Sequence, residues 1–593
     1  MVSKITSLSS LGRSVLTRRR FVTGLSGAAV TTASAWASPV RAQQNDPDPA
    51  VLTSDRFDLA VGALPVNITG RSKRATVVNG SMPGPTLRFR EGETVTINVT
   101  NHLNEPTSIH WHGLRLPADQ DGVPGLTFPG IMPGETFTYR FPIIQSGTYW
   151  YHSHSGMQEQ TGLSGALILE PQSKEPYQYD RDYVIVLSDW TDEDPITIIS
   201  NLKQQSDYYN FHQRTLGTFF DDVHRLGFKA AWRDRAMWGR MRMSPTDIMD
   251  VTGATYTFLV NGQPPAANWT ALFRPGERIR LRVINSAAMS TFDVRIPGLS
   301  MTVVAADGND IEPVVVDEFR IGVAETYDMI VQPQDDGAYT IFAQAQDRSG
   351  YARATLAARP GLSAAAPPLD VPALRSMADM GMSMAEMVKN GMDMSAMDMS
   401  AMDMSEMDQG HVPARPAENA SGVDPGTLKG RTSVDNVAVE TSNRLGEAGN
   451  GLDGNGRRVL VYNDLKALKP DEDPREPARD IEFHLTGNME RWVWGFDGKK
   501  FSEAPPVQIK LGERVRFILI NDTMMEHPIH LHGFLFSVEN DHAGCLPLKH
   551  TINVKPAERV SVVFTADTPG NWAFHCHLLY HMETGMFRTV VVA

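Results

Sequence analysis

The sequence predicts an all-β protein made of three related β-sandwich or β-barrel domains with Greek-key connections. One strand pattern occurs three times, as GETVTINVTN (Gly92–Asn101), GERIRLRVIN (Gly276–Asn285) and GERVRFILIN (Gly512–Asn521). Each copy alternates polar and apolar residues after a Gly-Glu turn, which is the period of a half-buried strand. Short strands with Gly/Pro turns and almost no helical periodicity are typical of such domains.

A second element follows each of these strands after about 40 to 50 residues, starting at Pro133, Ala324 and Pro556. It consists of a strand, a turn with Gly and a strand that carries aromatic residues. The two elements together place three β-domains at about 50–172, 180–360 and 456–593.

The segment from residue 361 to 455 has a different composition, rich in Ala, Pro, Gly, Ser, Asp and Met. Its methionine-rich run, Met377–Met407, ends in a five-residue repeat, MDMSA. That period matches neither the 3.6 residues of a helix nor the 2 of a strand, so no face would collect the methionines. We expect a mobile, disordered insert between the second and third domains.

The N-terminus, residues 1–42, is predicted to be a twin-arginine signal peptide. Arg18 and Arg19 precede a mildly apolar run, with small-residue cleavage sites at Ala37 or Ala42. The pattern predicts export to a bacterial-type periplasm. The run is too short and too polar to span a bilayer, and no later stretch reaches 18 apolar residues. We therefore expect no membrane span in the mature protein, and the net charge of −14 argues against nucleic acid as a partner.

Four His-x-His pairs lie in the first and third domains, and the second domain has none. Neighbours i and i+2 on a strand point to the same face, about 7 Å apart. The eight imidazoles can therefore converge between the two end domains on a shared metal site, and imidazole suits copper, zinc, iron or nickel. The pairs are His110/His112, His152/His154, His530/His532 and His575/His577.

The cysteine between the last pair narrows the choice of metal. Cys576 lies between His575 and His577, so its thiol points to the opposite face of the strand. His527 and His581 can complete a trigonal set, with Met586 as a weak axial ligand. This is the arrangement of blue-copper electron-transfer sites. Structural zinc instead prefers a closed shell of four ligands.

These motifs resemble those of the multicopper oxidases over essentially the whole mature chain. The resemblance implies three cupredoxin domains and four copper ions, one of type 1 and three in a type 2/type 3 cluster that reduces O2 to water. It implies type 1 ligands His527, Cys576, His581 and Met586, type 2 ligands His110 and His530, and type 3 ligands His112, His152, His154, His532, His575 and His577. Within the family, the chain is most similar to the copper-resistance protein A group of periplasmic cuprous oxidases.

The resemblance also suggests carboxylates that deliver protons to the cluster. Related cuprous oxidases carry an acidic residue directly after the second type 1 histidine, where this chain has Met582 followed by Glu583. A second family carboxylate, in an Asp-Gly pair after the first His-x-His, is present as Asp121. Asp121 and Glu583 are therefore the candidate catalytic residues.

The leading hypothesis for the function is oxidation of Cu(I) to less toxic Cu(II), with O2 as acceptor, which confers copper resistance. Thioethers are soft ligands that favour Cu(I). The candidate substrate ligands are Met377, Met380, Met382, Met384, Met387, Met392, Met394, Met397, Met399, Met402, Met404 and Met407. Two further groups of methionines are Met237, Met241, Met243 and Met249, and Met524 and Met525 beside His527. For the first group, packing in the core is an equally good explanation. The alternatives are a laccase-like phenol oxidase and a copper-sequestering protein, and a periplasmic copper-delivery protein is a candidate partner.

Overall fold

The computed structural model of the chain describes residues 49–376, 378–381 and 417–593. The predicted signal peptide and, within the methionine-rich run, residues 377 and 382–407 lie outside the described residues. Strands dominate the part that is described, which confirms the all-β prediction. No helix in that part is both long and apolar enough to cross a membrane.

The first β-domain is a sandwich of a five-stranded sheet, in the order β1-β4-β9-β8-β6, and a four-stranded sheet, in the order β3-β2-β5-β7. One apolar cluster, which includes Trp111, Tyr139 and Leu167, joins the two sheets. The strands are β1 (Val51–Thr53), β2 (Arg56–Asn67), β3 (Ser72–Val78), β4 (Gly84–Arg90), β5 (Thr94–Asn101), β6 (His110–His112), β7 (Thr136–Pro142), β8 (Gly147–His152) and β9 (Ser164–Glu170).

The second β-domain consists of strands β10 to β20 in two six-stranded sheets, ordered β11-β10-β13-β18-β15-β16 and β12-β20-β19-β14-β17-β22. The last strand, β22, comes from further along the chain. The strands are β10 (Arg181–Trp190), β11 (Thr257–Val260), β12 (Trp269–Leu272), β13 (Ile279–Asn285), β14 (Phe292–Arg295), β15 (Met301–Ala306), β16 (Asn309–Val316), β17 (Glu318–Ile321), β18 (Thr326–Val331), β19 (Ala338–Ala345), β20 (Tyr351–Ala357) and β22 (Val459–Leu460).

Three helices that the strand pattern does not predict lie between β10 and β11. They are α1 (Pro195–Gln204), α2 (Leu216–Leu226) and α3 (Phe228–Met241). Asp194 caps α1 by accepting hydrogen bonds from two backbone N–H groups, and Pro195 occupies the first helical position, where its missing N–H costs nothing. Thr215 caps α2 through a capping box, in which its hydroxyl accepts a hydrogen bond from the Thr218 N–H and the Thr218 hydroxyl accepts one from the Thr215 N–H. These local capping signals show why helices form within an otherwise all-β sequence.

The third β-domain has one sheet ordered β21-β23-β26-β31-β28-β29, with β24 paired to β23, and a second ordered β25-β33-β32-β27-β30. A short helix, α4 (Leu579–Thr584), follows β32. The strands are β21 (Glu418–Asn419), β23 (Arg479–Asn488), β24 (Val493–Phe496), β25 (Val507–Ile509), β26 (Arg514–Asn521), β27 (His527–Leu531), β28 (Phe536–Val538), β29 (Leu548–Lys549), β30 (Thr551–Val554), β31 (Arg559–Thr565), β32 (Gly570–Cys576) and β33 (Phe587–Val592).

The three predicted repeat strands are β5, β13 and β26. Burial alternates along β5, as the half-buried pattern predicts, but β13 and β26 are buried along their whole length. The difference arises because their polar positions are paired arginines. Arg280 of β13, for example, lies 2.5 Å from Asp328, and both side chains are almost fully buried. Ion pairing lets a charged residue occupy a buried strand position.

The described flanks of the methionine-rich run are packed, which corrects the expectation of a mobile insert for these residues. Leu428, Leu445 and Leu452 are at most 1% exposed, and β21 pairs in parallel with β23. Met380, one of the predicted Cu(I) ligands, is 1% exposed and belongs to the main apolar core. The five-residue repeat predicts nothing about these flanks because they lie outside it, on its N-terminal and C-terminal sides.

Candidate metal centre

Strand pairing brings the His-x-His pairs side by side within each end domain. β6 and β8 are antiparallel with His110 opposite His152, and β27 and β32 are antiparallel with His530 opposite His575. His532 and His577 follow directly after β27 and β32, and His154 lies two residues after the end of β8. Each end domain therefore presents four imidazoles from two neighbouring strands.

The two end domains meet at these histidines. The rings of His110 and His532 stack with centroids 3.8 Å apart, and those of His112 and His530 do the same. His154 is half-buried, and the other seven imidazoles are at most 2% exposed. The structure thus brings all eight rings together across the interface between the first and third domains.

Three trios within this cluster have ligand atoms close enough to share a metal ion, within 4.8 Å of one another. Each trio takes residues from both end domains. His575 joins the cluster through its Nε2 atom, which lies 3.0 Å from His532 Nε2. The trios are His110–His112–His530, His110–His154–His532 and His112–His152–His577.

The ring nitrogens that face the middle of the cluster fit bound metal. Buried nitrogen atoms without a hydrogen-bond partner are costly, and here several converge in one place. A neutral imidazole nitrogen is a good copper ligand, so these atoms suit copper ions. They are Nε2 of His110, His152, His154, His530 and His577, and Nδ1 of His112.

Several of the opposite nitrogens lie close to groups outside the cluster, as is usual for metal-binding histidines. Asp121 supports one histidine from each end domain, because its carbonyl oxygen lies 2.8 Å from His110 Nδ1 and its Oδ2 lies 2.9 Å from His532 Nδ1. Glu159 Oε2 lies 2.7 Å from His152 Nδ1. The nitrogen Nδ1 of His530 lies 2.7 Å from the carbonyl oxygen of His550. These contacts fix the orientation of the rings.

Burial keeps seven of the cluster histidines uncharged, because it lowers the pKa of each. It is the largest cause that lowers the pKa of His575 from 6.5 to about 4. Burial, and then neighbouring imidazoles, also lowers the pKa of six further members of the cluster far below 6.5. These are His112, His152, His154, His530, His532 and His577. Each can therefore offer a lone pair to a metal at neutral pH.

A second group of ligands surrounds the thiol of Cys576. Its Sγ atom lies 3.5 Å from His527 Nδ1 and 3.9 Å from His581 Nδ1, and all three side chains are fully buried. Met586 is also fully buried, and its carbonyl oxygen accepts a hydrogen bond from the Cys576 N–H. Burial raises the pKa of the Cys576 thiol, so the thiol keeps its proton at neutral pH when no metal is bound. A bound cation would displace this proton and stabilise the thiolate.

The two predicted catalytic carboxylates occupy different environments. Asp121 is fully buried between His110 and His532, in direct contact with the cluster. Glu583 is exposed on α4 and has no hydrogen-bond partner among the described residues. The geometry therefore gives Asp121 a contact with the cluster and gives Glu583 none.

Other residues at the two sites were not identified from the sequence. Asp250 Oδ2 lies 2.9 Å from His581 Nε2, and the Thr523 hydroxyl lies 2.7 Å from His527 Nε2. Glu159 and His550 support the cluster, as described above. Asp250 and His550 are 331 and 438 residues from His581 and His112, so no spacing in the sequence signals these contacts. Thr523 and Glu159 are near in sequence to His527 and His152, but neither forms a recognisable motif with them.

Comparisons with known proteins agree with this geometry. Models of the family described as multicopper oxidase match residues 60–174, 232–360 and 474–593. The chain is 54% identical to a copper resistance protein A homolog of Pseudomonas syringae pv. tomato and 52% identical to copper resistance protein A of Escherichia coli, covering 97% of this chain and 99% of each relative.

Solved structures show the same fold at low identity. The multicopper oxidase Fet3p has a TM-score of 0.62 and is 21% identical, over 91% of this chain and 90% of that one. A laccase from Botrytis aclada has a TM-score of 0.59 and is 20% identical, over 92% of this chain and 88% of that one. The chain belongs to the multicopper oxidases.

Proposed function

We propose that this chain oxidises Cu(I) in the periplasm, passes the electrons to O2 and so protects the cell from copper. The position of Cys576 carries the proposal. Its thiol faces His527 and His581, while His575 and His577 on either side join the eight-histidine cluster. An electron taken up at the Cys576 site can therefore reach the histidine cluster through the covalent bonds between Cys576 and either neighbouring histidine.

The ligand roles follow from the two sites. We assign the type 1 copper to His527, Cys576, His581 and Met586 and the cluster to the eight paired histidines, with His110 and His530 holding the type 2 copper. The remaining six are assigned to the type 3 pair. Bound at these four positions, copper would supply one-electron transfer and the reduction of O2 to water. The protein orients the imidazoles, through Asp121 and Glu159, and excludes bulk water by burying them.

Three observations favour Cu(I) as the substrate. The relatives that match over nearly the whole chain are copper resistance proteins. Met249 precedes Asp250, which contacts His581, and Met524 and Met525 precede His527 by two to three residues. These three methionines are buried, at 2 to 4% exposure, so they also pack the core beside the type 1 site. Soft thioethers at this position suit a cuprous ion.

The predicted twin-arginine segment supports periplasmic export of a folded protein, and the thioethers of Met382–Met407 support collection of Cu(I). Met380 is packed in the core, and the Gly381 carbonyl accepts hydrogen bonds from the backbone N–H groups of Val439 and Glu440. Substitutions that test the methionine-rich run without disturbing this packing should therefore begin at Met382.

The test is O2 consumption by copper-loaded protein with Cu(I) or with dimethoxyphenol as the electron donor. A matched variant replaces every methionine from Met382 to Met407 with leucine, which keeps length and charge. We expect Cu(I) oxidation in the wild type, a clear loss in the variant, and unchanged or faster phenol oxidation. Phenol oxidation without Cu(I) oxidation would instead indicate a laccase, and no O2 uptake with either donor would indicate copper sequestration.

A further inference from the structure

A ninth histidine, His550, stands against the cluster although it belongs to no His-x-His pair. It is fully buried and directly precedes β30. Its Nδ1 atom lies 3.1 Å from His112 Nε2, and its carbonyl oxygen lies 2.7 Å from His530 Nδ1. His112 and His530 are one of the two stacked pairs formed between the end domains. One residue therefore contacts two of the three histidines in a single trio.

The contact with His112 determines which of its nitrogens faces the cluster. Of the two ring nitrogens of His112, Nδ1 is buried without a partner, and Nε2 lies 3.1 Å from His550 Nδ1 and 3.3 Å from the Thr551 hydroxyl. His110 and His530 also have one buried ring nitrogen without a hydrogen-bond partner, but in both of them this nitrogen is Nε2 and not Nδ1. A neutral imidazole that offers the lone pair of Nδ1 carries its proton on Nε2, and this N–H needs an acceptor. His550 Nδ1 is the nearer of the two acceptors within reach, and the Thr551 hydroxyl is the other.

The second domain, which has no His-x-His pair, anchors His550. Asp307 Oδ2 accepts hydrogen bonds from the backbone N–H groups of His550 and Thr551, each at 3.2 Å. The same oxygen lies 3.1 Å from Lys549 Nζ, which also lies 3.0 Å from Glu325. All of these side chains are at most 1% exposed. Buried charges held in this way cannot shift without losing their partners.

Packing also restricts the ring of His550. Gly113, directly after the first His-x-His pair, has a φ of +81°, and a Cβ atom there would lie 2.4 Å from His550 Cδ2. The imidazole thus fits directly against the backbone of the strand end that carries His112. The contacts of Nδ1 with His112 and the Thr551 hydroxyl, and the close approach of Cδ2 to Gly113, restrict the orientation of the ring.

We propose that His550 is a positioning residue that holds His112 with Nδ1, and His530 with Nε2, toward the bound copper, and that Asp307 of the second domain holds His550 in place. The inference rests on the ligand roles assigned under Proposed function. It gives the second domain a role at the cluster without a metal ligand of its own.

The test compares three substitutions at position 550 in full-length, copper-loaded protein. The carbonyl oxygen of asparagine can occupy the position of Nδ1, that of glutamine reaches only to the position of Nε2, and leucine has no acceptor. We expect His550→Leu and His550→Gln to weaken copper binding at the cluster about 10- to 100-fold. His550→Asn should stay close to the wild type. The readouts are copper stoichiometry, EPR of the cluster and the blue absorption, which should persist in every variant.

His542→Leu is the matched control, because this histidine of the same domain is only half-buried and contacts Asn463 rather than the cluster. Wild-type cluster spectra in His550→Leu would overturn the inference. If that variant does not fold, equal behaviour of His550→Asn and His550→Gln would overturn it as well. A wild type that binds no cluster copper would instead refute the proposed function.

Discussion

At the scale of single residues, Asp250 is the outward support of His581. Its carboxylate lies 2.9 Å from His581 Nε2, and both side chains are buried. We expect Asp250→Leu to weaken copper binding at the Cys576 site by about 10- to 100-fold, because the imidazole loses the partner that orients it. Copper titration followed by blue absorption measures this. Asp247→Leu, a buried neighbour that makes no bond to His581, should bind as the wild type does, and equal losses in both variants would contradict the prediction.

His577 offers a test of the buried, neutral imidazoles. Burial, together with His575, lowers its pKa far below 6.5. As the pH falls through 6.5 the unfolded chain gains a proton here and the folded chain does not, so acid destabilises the copper-free protein. Between about pH 7.5 and 5.5, this histidine should cost the wild type about 1.4 kcal/mol of unfolding free energy. The His577→Asn variant lacks the titrating group, so its unfolding free energy should fall by that much less over the same pH range. Denaturant unfolding at both pH values measures the unfolding free energy of each protein. His542 is half-buried, so His542→Asn serves as the control. Identical pH dependence of stability in His577→Asn and the wild type would contradict the prediction.

At the scale of elements, β32 and the residue after it connect the two metal sites. The alternation of a strand directs His575 toward the cluster and Cys576 toward His527 and His581. The same alternation was the basis for the prediction from sequence, and the structure places the thiol and the imidazoles accordingly.

Cys576→Ser separates the two sites. The hydroxyl is a poor copper ligand compared with a thiolate, so we expect loss of the blue absorption and of oxidase activity. The cluster histidines keep their contacts, so copper bound there should remain. Optical spectra, EPR and copper stoichiometry on the same sample measure this. Blue absorption that survives in Cys576→Ser would contradict the ligand assignment.

At the scale of the whole molecule, Asp121 links the first domain to the third. Its carboxylate lies 2.9 Å from His532 Nδ1 across the interface and 3.2 Å from His110 Nδ1, and its backbone carbonyl lies 2.8 Å from the same His110 nitrogen. Asp121→Ala removes both carboxylate contacts, but His110 keeps the backbone carbonyl as a partner, so only His532 is left without one. We expect a loss of about 1–3 kcal/mol in unfolding free energy, because a buried imidazole N–H loses its acceptor. Reduced copper at the cluster should accompany it.

Thermal or chemical unfolding and copper stoichiometry measure the effect of Asp121→Ala. Asp119→Ala is the control, since Asp119 lies in the same short turn but is exposed. Unchanged stability and copper content in Asp121→Ala would show that this contact does not couple the domains.

Much of this molecule can be read from the chain alone. The repeated strands, the His-x-His pairs and the position of Cys576 follow from periodicity, because the alternation of side chains along a strand depends only on backbone geometry. The helices between β10 and β11 do not follow from strand periodicity, because the signals of α1 and α2 are single capping residues, Asp194 and Thr215.

The supports of the metal centre depend on the tertiary structure. Asp250 and His581 are 331 residues apart, and His112 and His550 are 438 apart. Met380 is a core residue and not an exposed ligand, and β13 is fully buried because its arginines find acidic partners on other strands. Such contacts arise only when distant segments pack, since burial and pairing are properties of the folded chain and have no period along the sequence.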